Sequence, residues 1–235
     1  MVSTSGCGGT ATLFRQYEYE EEIYLSLDGR ATVYVNASIP ALNALRGTTF
    51  DASPAARIDT AAIRAYYSSP ATRVVRVTQS RRNSRRFVHV RLDVDDVTAL
   101  GGVAPFAWSR YHFTRDGDLF KYLQIVGAAA GKDVGKVGWK GDEVVAFRLH
   151  LPSKIRYHNT KRAVGRGNIL VWEQSLADRL HGVPIELDAR MDPQSILYTT
   201  LWLFGITFVA VAIVFGGVVW WVVRRGRGEQ HEPVR

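Results

Sequence analysis

Apolar and polar residues alternate along most of the chain, and the pattern predicts strands. In residues 13–27, Phe14, Tyr17, Tyr19, Ile23, Leu25 and Leu27 mark one face, with Glu18, Glu20 and Glu22 on the other. Asp28-Gly29 is a tight-turn signal, and Ala31–Ser38 returns with Val33 and Val35, so a first hairpin is expected. A second hairpin joins Arg73–Ser80 to a strand carrying Arg86, Val88, Val90, Leu92 and Val94 on one face. A third joins Trp108–Arg115 to Leu119–Val126 around Asp116-Gly117-Asp118. Further strands are expected near Val144–Leu151, Ile169–Trp172 and Val183–Ala189. Pro40 breaks the first sheet run, and short helical turns are expected at 40–46, after the capping residue Asp59 as far as Tyr67, and at Ser175–Leu180. The fold class is therefore α+β and β-rich: an antiparallel sheet or partly closed barrel with two or three short helices. Gly127–Gly141 reads as a loop.

The pattern changes near the end. Ile196–Val223 is a run of 28 residues without a charge, and about 20 apolar residues cross the hydrocarbon core. Trp202 and Trp221 are 19 positions apart, roughly 28 Å along a helix, and so fall at the two interfaces, with Trp220 and Tyr198 beside them. Arg224 and Arg225, then Arg227, follow the run directly. Basic residues stay on the cytoplasmic side, so the tail at 224–235 is expected inside and the domain at 13–190 outside, with the cell membrane holding 196–223. A tail anchor facing the cytoplasm is the alternative. Ala212 and Gly216 stand in small-xxx-small spacing and would serve a homodimer or a membrane-protein partner.

Charge sharpens the choice of partner. The chain carries 30 Lys+Arg against 22 Asp+Glu, and most of the excess lies before the span. Arg81, Arg82, Arg85 and Arg86 surround the turn of the second hairpin. Guanidinium groups fork onto phosphate oxygens, so contact with membrane lipid headgroups is expected there. A solvated turn held by salt bridges is the alternative. Nucleic acid is not expected, because the compartment is wrong and aromatic stacking residues are not arranged for it.

No motif carries catalysis. His89, His112, His150, His158, His181 and His231 lack metal-ligand spacing, and Asp93-Val-Asp95-Asp96 and Asp116-Gly-Asp118 lack the other oxygens of a calcium loop. No G-x-S-x-G occurs, and Gly131–Lys136 is not a phosphate loop. Neither metal nor cofactor is expected, and a binding module is favoured over an enzyme. The enzymatic alternative is an envelope hydrolase using the carboxylates of Glu18, Glu20 and Glu22; the other is an accessory subunit of a membrane complex.

Cys7 is the one cysteine, so no internal disulfide forms. Ser5-Gly6-Cys7 is similar to the end of a lipobox, with Thr4 where Leu is usual. On that reading Cys7 is lipidated and the reading frame extends upstream into a signal peptide, residues 1–12 being a flexible remnant; an incidental cysteine is the alternative. The Gly-Cys start, the acidic first hairpin with its Asp-Gly turn, the helical connection, the Asn168-Ile-Leu-Val-Trp172-Glu-Gln motif and the terminal span together resemble the LppM-like bacterial envelope lipoprotein domain. That resemblance implies an envelope lipoprotein module and assigns no catalytic residue.

Overall fold

The computed structural model describes residues 17–228; Cys7 and the lipobox-like start lie outside them. The chain divides into two units, Met1–Pro193 and Gln194–Arg235. In the first, the strands β1 (Tyr17–Leu25), β2 (Ala31–Ser38), β3 (Thr72–Arg82), β4 (Arg85–Val94), β7 (Val144–His150) and β9 (Ile169–Ser175) make a six-stranded sheet in the order β3-β4-β2-β1-β7-β9. The strands β5 (Ser109–Asp116), β6 (Leu119–Val126), β8 (Ser153–His158) and β10 (Ile185–Ser195) make a second sheet, β5-β6-β10-β8. The sheets do not close into a barrel.

The three expected hairpins are all present. Gly29 takes φ 85° in the first, and Gly117 takes φ 61° in the third. In the second, Asn83 and Ser84 both sit at positive φ, 49° and 60°, the handedness a two-residue turn needs to match the strand twist. One pairing departs from the antiparallel expectation. β1 and β7 run parallel, with Tyr19 opposite Val145 and Tyr24 opposite His150. β8 is also an addition to the expected strands; only Ile155 and Tyr157 alternate with its polar residues Lys154, Arg156 and His158, a signal too short to stand out.

The short helices open on side-chain caps, Asp59 among them as expected. Asp59 accepts from the amides of Ala61 and Ala62 to open α2 (Thr60–Tyr67), and Ser175 caps α3 (Leu176–Leu180). α1 (Ile39–Arg46) begins at the Ser38 cap with Pro40 in its first turn, and Gly47 at φ 71° ends it. Every residue of α1 from Ile39 to Leu45 is buried, which is why it shows no polar face.

Both sheets feed one core. Val33, Val35, Val88, Val90, Leu92, Phe147 and Leu149 of the larger sheet share it with Tyr111, Tyr122, Leu187 and Met191 of the smaller. Trp108 and Tyr19 meet edge to face with ring centroids 5.3 Å apart, the geometry aromatic quadrupoles prefer.

The second unit is the helix α4 (Ile196–Gly228). Thr200–Arg225 is long and apolar enough to cross a membrane, with a mean hydropathy of 2.5 and none of its most apolar stretch buried.

Candidate functional site

The outer face of the larger sheet is polar, and its charges are laid out in rows by the strand register. Glu18, Glu20 and Glu22 point outward from β1, and each finds a cation. Glu18 meets Arg85 at 2.8 Å, Glu20 meets Arg148 at 2.8 Å, and Glu22 meets His150 at 2.6 Å. Glu18 also accepts from the Trp139 indole at 3.2 Å. Burial opposes ionisation of Glu22, but the hydrogen bond from His150 and its charge outweigh it, and the carboxyl titrates below its ordinary range. Tyr24 stacks on His150 at 3.8 Å between ring centroids and donates to Glu22.

The four hairpin arginines separate into two kinds. Arg85 turns back onto the sheet. Its Nε and a terminal nitrogen both reach Glu18, and the other terminal nitrogen donates to the carbonyl of Gly138 at 2.8 Å. Arg86 is on the inner face, buried, and donates to the carbonyl of Asp51. Arg82 is half-buried, with its guanidinium 4.6 Å above the Phe87 ring. Arg81 is exposed. Arg76 and Arg91, opposite one another on β3 and β4, are also exposed, and Arg91 lies over Tyr34 at 5.7 Å. Arg73 is an exposed partner of Asp93 at 2.6 Å. The available cations of this region are therefore Arg76, Arg81 and Arg91, two of them outside the hairpin quartet. The pairs that occupy Arg85 and Arg86 come from Glu18 and Asp51, distant in sequence, so no local pattern announced them.

A further acid lies on the inner face. Glu21 follows Tyr19 and precedes Ile23 in the inward row, and it is 1% exposed. One of its oxygens accepts from Tyr111 at 2.8 Å and from Gln124 at 2.9 Å, while the other accepts from Tyr19 at 3.2 Å. Gln124 in turn accepts from Tyr122 at 2.8 Å. β1 of one sheet is thereby tied to β5 and β6 of the other. Burial pushes the Glu21 carboxyl up, against the lowering effect of the Tyr111 and Gln124 donors. The run Glu20-Glu21-Glu22 hides this residue, because an acid at a core position reads as a gap in the alternation. Arg179 on α3 is likewise fully buried, and its guanidinium nitrogens have no hydrogen-bond partner. It faces the Trp108 ring at 5.7 Å, and burial lowers its pKa.

On α4, Trp202 donates to the Tyr198 hydroxyl at 2.8 Å. Arg224 and Arg225 fold back over Trp220 and Trp221, at 5.1 Å and 5.0 Å, as cations do when their stems lie along aromatic faces. Ala212 and Gly216 lie one turn apart, both exposed. Among the described residues, no group of three His, Cys, Asp or Glu is placed to hold a metal ion. Asp93 is held by Arg73, and Asp96 caps the 3-10 turn at Val97–Gly102.

These features define a β-rich domain followed by a candidate single membrane span. No protein-family model matches the chain, and no curated protein matches it. Among solved structures the chain is similar to the NMR structure of the folded domain of LppM from Mycobacterium tuberculosis. The likeness is weak: identity is 16%, the TM-score is 0.41, and it covers 78% of this chain and 95% of that one.

Proposed function

We propose that this chain is a membrane-anchored binding module of the bacterial cell envelope, with its domain outside the cytoplasm, that contacts anionic lipid headgroups through exposed arginines of β3 and β4. The observation that carries the reading is the apolar helix Thr200–Arg225 with tryptophans near both ends and Arg224 and Arg225 after it. Such a helix settles across a bilayer, and its basic end is retained inside. Arg76, Arg81 and Arg91 then supply the contact, at about 1 kcal/mol for each cation near an anionic surface. Arg85 and Arg86 serve the fold instead.

Two measurements test this. Protease added to intact cells is expected to digest the domain and leave a membrane-embedded fragment; full protection until lysis places the domain inside and ends the reading. For the contact, the full chain in phosphatidylcholine nanodiscs is expected to capture phosphatidylglycerol vesicles and to release them at high salt. The R76S/R81S/R91S variant is expected to lose about 3 kcal/mol of that capture. Unchanged capture removes the headgroup contact while leaving the anchor in place.

A further inference from the structure

Three strands bring a serine, a histidine and an asparagine into one hydrogen-bonded line on the outer face of the larger sheet. His89 on β4 stands opposite Asn36 on β2 and Thr78 on β3. Ser80 follows two residues along β3, on the same face. His89 Nε2 is 2.8 Å from Ser80 Oγ, and His89 Nδ1 is 2.9 Å from Asn36 Oδ1.

The far end of the line fixes its direction. Asn36 Nδ2 donates to Glu20 at 2.9 Å, and Glu20 is held in its ion pair with Arg148. An ionised carboxylate only accepts, so the amide nitrogen of Asn36 faces Glu20 and its oxygen faces His89. That oxygen also only accepts. His89 therefore carries its proton on Nδ1 and presents the lone pair of Nε2 to the Ser80 hydroxyl. Burial, then the charge of Arg82, lowers the His89 pKa, which favours the neutral ring with a free Nε2 lone pair. Ser80 is exposed, so the hydroxyl is reachable from solvent. Beside the imidazole is a hollow of about 310 Å³ lined by Tyr34, Arg76, Thr78, His89, Val90 and Arg91.

A hydroxyl on a base that a third group orients is the arrangement of an activated nucleophile. We infer that Ser80 is the nucleophile of an ester hydrolase site, with His89 as its base, Asn36 as the residue that positions His89, and Arg76 and Arg91 holding an anionic group of a carboxylic ester. The Ser80 oxygen attacks the ester carbonyl carbon while its proton passes to His89 Nε2. A tetrahedral intermediate with an oxyanion forms. Its collapse breaks the ester C–O bond, and the leaving alkoxide takes the proton from His89. Water then attacks the acyl-serine, gives a proton to His89, and releases the carboxylic acid as that proton returns to Ser80. The site shares Arg76 and Arg91 with the proposed headgroup contact, while Ser80, His89 and Asn36 take no part in that contact.

The full chain in nanodiscs, treated with an alkyl fluorophosphonate, is the direct test. Ser80 attack forms the O–P bond and expels fluoride, so the expected result is an adduct on the peptide holding Ser80. H89Q is expected to slow labelling by about 100-fold, the order of a general base's contribution. N36A should lower kcat for p-nitrophenyl hydrogen succinate with KM unchanged. S80A lies at an exposed strand position, keeps the fold, and is expected to lose both adduct and turnover. Label spread evenly over other serines, or turnover retained in S80A, overturns the nucleophile. Equal turnover of neutral p-nitrophenyl butyrate overturns the role of Arg76 and Arg91.

Discussion

The two faces of β1 treat the same side chain in opposite ways. Glu18, Glu20 and Glu22 face outward, and each is met by an arginine or a histidine. Glu21 lies between them in sequence, faces inward, and is met by two tyrosine hydroxyls and an amide. Each outer acid is held by a basic side chain, and for Glu22 the hydrogen bond from His150 lowers the carboxyl pKa. The inner one is pushed toward its neutral form by loss of water, and neutral donors surround it. The side chain is the same on the two sides; what differs is whether its partner is a basic group or only a neutral hydrogen-bond donor.

Removing the inner acceptor should have the largest effect. E21A leaves Tyr111, Gln124 and Tyr19 with buried donors and no acceptor, and is expected to cost about 3 to 4 kcal/mol by denaturant unfolding. Next is R85S, which strands the 4% exposed carboxylate of Glu18; a loss of about 3 kcal/mol is expected, with solvent entering between the hairpin and Gly138. E21Q is subtler and separates the faces by pH. The folded-state pKa of Glu21 is raised, so the folded protein holds this proton more tightly than the unfolded chain does. Its contribution is favourable at pH below the unfolded carboxyl value and is lost as pH rises through the folded value. E21Q is expected to flatten that decline in thermal stability. Glu22 has the reverse sign: its stabilisation is present above the unfolded value and lost as pH falls through the depressed folded one, and E22Q should remove that acid-side loss. The smallest change is R73S, whose exposed pair with Asp93 is expected to shift stability within about 0.5 kcal/mol.

Much of the architecture was legible where local chemistry decides it. The Asp28-Gly29 and Asp116-Gly117 turns, the Asp59 cap, the helical turn at Ser175–Leu180, and the alternation of Val88, Val90 and Leu92 each depend on near neighbours. So does the uncharged run of α4. The candidate sites were legible only in part. Arg82 stays on the outer face opposite Arg85, whereas Arg81 is exposed on the other side, opposite Arg86; the partners of Arg85 and Arg86 are set by folding of distant segments. Asn36, His89 and Ser80 share one face only because β2, β4 and β3 take that register, and a lone histidine on a strand says nothing of its neighbours. The inward place of Glu21 is visible from parity alone, two residues from Tyr19 and two from Ile23, yet its charge masks it.

The parallel seam between β1 and β7 has a consequence for biosynthesis. As the chain emerges from the ribosome, β1, β2, β3 and β4 are all available well before the segment Val144–His150. Until then β1 is an open edge whose amides and carbonyls on that side have no strand to meet, and open edges pair with whatever strand comes by. Completion of the larger sheet is thus a late, long-range event, slow by topology. A pause in synthesis between the third hairpin and β7 would prolong the stage most exposed to mispairing.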